Sequence, residues 1–164
     1  MSSNFSLPEN CKIIEATPPA VGAGATITSD YISLKDAHKC WIVIHYYEAH
    51  NGAAVVYQPM KATAILPSGA TAITTAVKIW ANVTADTTDL LVERTAATSY
   101  TGGTVTLKNH IVIFEIDPVD LGPTYDCIGF TAATPAAGDY ISALFVIQPR
   151  YPSRVLTAPT SITD

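Results

Sequence analysis

Short runs of β-branched and aromatic residues, bounded by Gly, Pro, Asn and Asp, constrain this chain more than any other feature of its sequence. Val, Ile, Thr and Tyr dominate these runs, whereas Leu, Glu and Lys at helical spacing are nearly absent. A series of short strands in one domain is typical of a sandwich or barrel, and we expect an all-β sandwich with a jelly-roll-like arrangement. The predicted strands lie at residues 12–16, 25–28, 39–48, 53–62, 72–81, 90–95, 104–107, 110–116, 125–132 and 140–147.

The run at residues 39–48 is apolar on both of its alternating faces. A strand that is buried on both faces lies in the centre of a sheet and not at its edge. Residues 110–116 and 140–147 carry similar apolar patterns, so these three runs are predicted to build the core. Trp41 and Phe114 are the aromatic residues whose truncation should damage folding most.

Two local signals predict how the strands connect. Asn51-Gly52 lies between two β-patterned runs and predicts a tight hairpin, because both residues tolerate a positive φ. Pro59 lacks an amide donor, so its strand is expected to lie at an edge or a bulge. Residues 117–123 are predicted to form a turn or one short 3₁₀ turn.

Both ends of the chain differ from the middle. Residues 11–152 are predicted to form the single domain, with an extended N-terminal arm at 1–10 and a C-terminal tail at 153–164. Proline removes amide donors and favours extended backbone, and isolated apolar side chains at such ends are suited to contacting a partner. The candidate protein-interaction residues are Phe5, Leu7, Arg150, Tyr151, Arg154, Val155 and Leu156.

The charge balance disfavours nucleic acid as a partner. The 164 residues include 9 Lys and Arg against 14 Asp and Glu, a net charge of −5, and no basic run could neutralise a row of phosphates. The two longest apolar stretches, 40–47 and 140–147, are much shorter than the roughly 20 residues of a membrane-spanning helix. The first residues lack the basic and apolar regions of a secretory signal, so we expect synthesis in a cytoplasm.

Candidate chemistry is sparse, and no catalytic, metal or cofactor site is predicted. The odd number of cysteines, Cys11, Cys40 and Cys127, without CxxC spacing, indicates reduced structural thiols. His45 and Glu48 point to opposite faces of one strand and so should not share a metal ion. The remaining candidates are Asp86 and Asp89 in a loop that lacks calcium-binding spacing, and four glutamates in or near strands that could form a hydrolase pair: Glu15, Glu48, Glu93 and Glu115.

Several stretches resemble small structural proteins encoded among the head genes of tailed bacteriophages and prophages. They span most of the chain, and none of them is a catalytic motif. The stretches are Asp30-Tyr31-Ile32-Ser33-Leu34-Lys35-Asp36-Ala37-His38-Lys39, Ile79-Trp80-Ala81-Asn82 with the Asp/Thr-rich loop that follows, Phe114-Glu115-Ile116-Asp117-Pro118, Tyr125-Asp126-Cys127-Ile128, and Gln148-Pro149-Arg150-Tyr151-Pro152.

This resemblance implies a non-enzymatic virion protein, with a decoration (cement) protein on the phage head as the first interpretation. Such a protein would bind the phage major capsid protein and also itself, and a trimer is the first expectation for the homo-oligomer. The alternative is a receptor- or glycan-binding β-sandwich of a phage tail or fibre. For that role Tyr46, Tyr47, Tyr57 and Tyr100 could supply exposed aromatic rings.

Overall fold

The computed structural model describes residues 5–49, 54–66, 69–102 and 108–151, and nearly all of its regular structure is β-strand. One helical turn, α1 (Leu7–Asn10), precedes the strands, and one 3₁₀ turn, η1 (Pro118–Leu121), lies between two of the later strands. The strands are β1 (Lys12–Val21), β2 (Ile27–Thr28), β3 (Ile32–Ser33), β4 (Ala37–Glu48), β5 (Val56–Ala62), β6 (Thr71–Ala72), β7 (Val77–Asn82), β8 (Val92–Ala97), β9 (Tyr100–Thr101), β10 (Lys108–Ile116), β11 (Cys127–Ala133) and β12 (Tyr140–Pro149).

The strands form two antiparallel sheets. The first sheet has the order β1-β12-β4-β10-β7-β8. In the second sheet β11 and β5 pair with each other, β2 and β3 lie along β11, and β6 and β9 lie along β5. The predicted all-β sandwich is therefore confirmed, and the jelly-roll arrangement stays a prediction.

Most predicted strands occur close to their expected positions. β4 lies between β12 and β10, as its apolar pattern predicted. The run expected at 72–81 is divided into β6 and β7, and the strand expected at 104–107 lies outside the described residues. The turn predicted at 117–123 contains η1.

The predicted hairpin after β4 is wrong. β4 belongs to the first sheet and β5 to the second, and the two strands do not pair with each other. Both edges of β4 are already hydrogen-bonded, to β10 from Cys40 to Glu48 and to β12 from Ala37 to Tyr47. The chain must therefore cross to the other sheet after Glu48, through a connection whose residues 50–53 lie outside the described part.

Pro59 lies where the outer side of β5 changes partners. β6 pairs with Met60 and Lys61, β9 pairs with Val56 and Tyr57, and Pro59 stands between these two short ladders. Its carbonyl accepts a hydrogen bond from the Ile73 amide at 3.1 Å. The missing amide donor of proline thus faces the gap between these two ladders, so proline is tolerated although β5 is paired on both sides and is not the edge strand that was predicted.

The main core fills the space between the sheets. Ile42 and Ile44 from β4, Phe114 from β10, Phe130 from β11 and Phe145 from β12 are all completely buried in it. Alternating side chains of both sheets meet at this layer, as in other two-sheet proteins.

A smaller cluster covers the outer face of the second sheet. Tyr31, Ala62 and Cys127 are buried there, outside the main core. Gly129 lies under the Tyr31 ring, and a Cβ at this position would approach a ring carbon to 2.9 Å. The close contact of the ring with β11 therefore requires glycine at residue 129.

Trp41 does not belong to the core. Its neighbours Cys40 and Ile42 point inward, so Trp41 lies on the outer face of the first sheet, where it is half-buried. The expectation that truncating Trp41 would prevent folding is therefore corrected.

No helix among the described residues has the length and apolar character needed to cross a membrane.

We expect Phe114→Ala to lower the free energy of unfolding by about 3–5 kcal/mol, because it leaves a cavity in a close-packed core. Trp41→Ala should cost clearly less, because part of that side chain already contacts solvent. Denaturant unfolding of the two variants tests this difference. Equal losses would contradict the assignment of Trp41 to the outer face.

Candidate functional site

The two ends of the described chain leave the sandwich at the same place. β1 and β12 are antiparallel neighbours, with Lys12 opposite Ile147. The chain enters β1 and leaves β12 at this end of the first sheet, so the segments on either side are brought together. The sequence places these ends far apart, and only the pairing of β1 with β12 makes them one candidate surface, which we call the terminal surface: residues 5–11 and 148–151.

The predicted interaction residues differ in their exposure to solvent and in their hydrogen bonds to the rest of the fold. Phe5, Leu7 and Tyr151 are 72%, 42% and 59% exposed. Arg150 is instead held to the fold, because its amide donates to the Asp36 carbonyl at 2.8 Å and its Nε donates to the Ala37 carbonyl at 3.1 Å. Arg154, Val155 and Leu156 lie outside the described residues.

Part of the N-terminal arm is helical and not extended. Residues 7–10 form one turn, and the Cys11 amide donates to the Leu7 carbonyl at 2.8 Å. Pro8 lies in the first turn, where the absent amide proton would have no helical acceptor. The prediction of a fully extended arm is therefore corrected for these residues.

A second candidate is a buried polar cluster at the opposite end of β4. Asp139 accepts hydrogen bonds from the Tyr46 hydroxyl at 2.6 Å, the Ala49 amide at 2.8 Å and the Ala136 amide at 2.7 Å. His110 Nε2 lies 3.4 Å from Glu48 Oε2, and both side chains are 1% exposed. The Asp139 carboxylate therefore joins the segment before β12 to the end of β4.

The environment of this cluster disfavours charge on Glu48. Burial, together with the negative charge of Asp139, raises the pKa of Glu48. Burial and the hydrogen bond to Asp139 raise the pKa of Tyr46, and burial raises that of Tyr57. These side chains are buried, so in this conformation they do not contact a ligand in solution. Their hydrogen bonds instead hold the end of β4 to the segment before β12.

The sequence contained one signal for this cluster. Every second residue of β4 from Cys40 to Tyr46 faces the core, and Glu48 is the next residue in this series. Continuing that period of two places the Glu48 carboxylate inward. The sequence could not predict that His110 and Asp139 belong to this cluster, because only the register of β10 and β12 against β4 brings them beside Glu48.

The other sequence candidates do not assemble into a site. Glu15 and Glu93 lie at opposite edges of the first sheet, while Glu115 is bound to Lys39 at 2.5 Å. Glu48 faces inward, so the four glutamates form no catalytic pair. Asp86 is paired with Lys108 at 2.8 Å, and the described residues contain no group of three ligands suited to a metal ion.

The tyrosines proposed for glycan recognition are divided between the core and the surface. Tyr46 and Tyr57 are buried, which corrects their assignment to an exposed rim. Tyr47 instead lies beside Tyr140 on the outer face of the first sheet, with ring centroids 6.3 Å apart. These two rings, with His45 and Pro19, line a shallow surface depression.

All three cysteines are buried and free. Burial raises the pKa of Cys11 and of Cys40, and it raises that of Cys127 to about 12, where the thiol also donates to Asp126 Oδ1 at 3.1 Å. A thiol that stays protonated is a poor nucleophile. The prediction of buried thiols without a disulfide partner is confirmed for Cys40 and Cys127, and Cys11 is buried as well.

Comparison with known proteins gives only distant similarities. No family model and no curated protein matches the chain. The SPBc2 prophage-derived protein YomS matches with 9% identity over 84% of this chain and 92% of its own, at a TM-score of 0.45. A structure of infectious bursal disease virus Gt strain matches with 11% identity over 94% of this chain and 46% of its own, at a TM-score of 0.28. At these scores neither similarity supports a functional assignment.

We expect the three thiols of the native protein to react slowly with a thiol reagent at neutral pH and to react quickly after denaturation. Burial both blocks access and raises the thiol pKa. Timed labelling followed by intact mass measurement tests this. Fast modification of all three cysteines without denaturant would contradict it.

We expect Glu48→Gln to raise the melting temperature by a few degrees at pH 7. The folded state holds the Glu48 proton to a higher pH than the unfolded chain does, so wild-type stability falls as pH rises above the ordinary pKa of 4.5. The gain should vanish below that pH, where Glu48 is protonated in both states. Melts between pH 4 and pH 8 measure the difference.

Glu93→Gln, at an exposed position, is the matched control and should leave the melting temperature almost unchanged. A lower melting temperature of Glu48→Gln at pH 7 would instead show that the contact with His110 stabilises the charged carboxylate.

Proposed function

We propose that this chain is a non-enzymatic structural protein of a tailed-bacteriophage particle, and that it binds the head shell as a decoration (cement) protein. The resemblance of its sequence to small head proteins motivates this role. The observation that carries it is the terminal surface, where both ends of the chain leave one end of the sandwich. Exposed apolar side chains from both ends can therefore contact the same partner.

The terminal surface suits attachment to a protein lattice. Phe5, Leu7 and Tyr151 present apolar and aromatic surface, and aromatic residues contribute strongly to protein interfaces. Arg150 has its side chain oriented by the Ala37 carbonyl, so it can add a positive charge in a defined position. The proposed partner is the major capsid protein, and the proposed location is the outer surface of the head.

The proposed effect on the particle is thermodynamic. A protein that binds the assembled shell and not its separate subunits shifts the equilibrium towards the shell. Binding as a closed homo-oligomer, with a trimer as the first expectation, would match several lattice sites at once.

A second candidate function is binding of a receptor or glycan at a tail or fibre. The depression beside Tyr47 and Tyr140 favours it, because aromatic rings can stack on the apolar face of a sugar while His45 and Ser142 offer hydrogen bonds. Glycan-array binding that is lost in Tyr140→Ala would support this function in place of attachment to the head.

We expect Phe5→Ala combined with Tyr151→Ala to weaken binding to head shells without changing the melting temperature. Both side chains are mainly exposed, so their removal leaves the core intact. Head shells assembled from the major capsid protein of the same phage would be sedimented with each variant. A fragment spanning residues 11–152 is expected to fold and to bind more weakly still.

Leu90→Ala is the matched control, because Leu90 is 65% exposed and lies away from the terminal surface. Full occupancy of the shells by the double variant and by the fragment would contradict a role for the ends. Absence of shell binding by the wild-type chain would contradict the proposed function itself.

A further inference from the structure

The outer face of the first sheet carries a group of apolar and aromatic side chains among polar ones. Leu144, Val43, Ile113 and Trp80 form one row across β12, β4, β10 and β7, because each is the register partner of the next. Trp41 and Val146 form the next row at one side, beside the Lys39–Glu115 ion pair. At the other side the row of Ser142 and His45 comes next, and Tyr47 and Tyr140 lie beyond it. We call the eight apolar and aromatic residues the outer patch: Leu144, Val43, Ile113, Trp80, Trp41, Val146, Tyr47 and Tyr140.

Within the described part of the chain, the two sheets differ in how their outer faces are covered. The second sheet carries its own small cluster of Tyr31, Ala62 and Cys127, with Met60 and Ile65 packed against it. The outer patch has no such layer, and Leu144 and Tyr140 remain 43% and 53% exposed. Both tryptophans of the chain, Trp41 and Trp80, lie in this patch.

The face that contains the outer patch is large enough for a protein interface. With strands about 4.8 Å apart and about 3.3 Å per residue, the area from β1 to β7 and from Trp41 to Tyr47, polar side chains included, is about 500 Å². Two such faces in contact bury about 1,000 Å², which reaches the size of a specific interface. A flat sheet face is also complementary to a second copy of itself, as in the stacking of two sheets within a sandwich.

We propose that the outer patch is the interface between two copies of this chain, which stack face to face about a two-fold axis. The proposed function enters only in the choice of a second copy as the partner. Such a contact joins two subunits, so it favours a dimer in solution over the trimer expected from lattice symmetry.

Charges at the margins select the direction of the axis. An axis parallel to the strands would place Glu15 of β1 opposite Glu93 of β8, because each lies at the end of the same row. An axis in the sheet plane and perpendicular to the strands avoids this repulsion, and it places Trp41 of one copy over Tyr47 of the other. Aromatic residues then meet at both ends of the interface.

The test uses the full chain and one charge introduced into the patch. Leu144→Glu places a carboxylate at a position already 43% exposed, so folding should be preserved, whereas a second copy would have to bury that charge. Leu66→Glu is the matched control, because Leu66 is 68% exposed and follows β5 of the other sheet. Sedimentation over a range of concentrations gives the dissociation constant of each protein.

We expect the wild type and Leu66→Glu to dimerise with similar constants, and Leu144→Glu to dimerise at least about tenfold more weakly. Tryptophan emission should shift to the blue, and acrylamide quenching should fall, as the wild-type concentration rises. Both effects should be reduced in Leu144→Glu. Melting temperatures establish that each variant is folded.

A wild type that stays monomeric would overturn the proposal, and the tryptophans then identify the reason. Shielded tryptophans in the monomer would mean that another part of the chain covers the patch, whereas accessible tryptophans would leave it open to a different partner. If Leu66→Glu weakened dimerisation tenfold as well, that result would also overturn the proposal. These measurements contain no shells, so a failure here is distinguishable from a failure of head binding.

Discussion

The pairing of β4 along both of its edges is the constraint on which the rest of the structure depends. β10 and β12 are hydrogen-bonded to it over almost its whole length, so the next strand cannot join the same ladder. The chain therefore crosses to the second sheet, and the inward side chains of β4 become the centre of the layer between the sheets. Its outward side chains become the middle of the outer patch.

The same strand connects three places with different physical character. Near its first residues it meets the end of β12, where Arg150 is bound to the carbonyl of Ala37. Near its last residue the Glu48 carboxylate is enclosed with His110 and Asp139. A buried acid is costly when it is charged, but the hydrogen bonds of Asp139 to Tyr46 and to two backbone amides hold the surrounding segments in one arrangement. We therefore assign the cluster a structural role, which is to hold these segments together, and not a role in a reaction.

The two remaining surfaces are those on which the proposed contacts with other proteins depend. The terminal surface combines exposed apolar residues from two distant parts of the sequence, and the outer patch leaves both tryptophans, on β4 and β7, partly in contact with solvent. Large apolar areas of this kind on soluble domains generally mark contact sites. Attachment to a shell through one surface and to a second copy through the other would let each subunit join two partners without conflict.

The sequence by itself determined the fold class, the approximate positions of most strands along the chain, the central position of β4 and the burial of Cys40 and Cys127. These properties follow from residue type and from a period of two, both of which are local. Only the tertiary structure decided that β4 and β5 lie in different sheets and form no hairpin, that Trp41 faces outward and that Glu48 lies beside His110. Each of these depends on which strands pair and in what register, and that choice is made by competition among strands far apart in the chain, which no local pattern encodes.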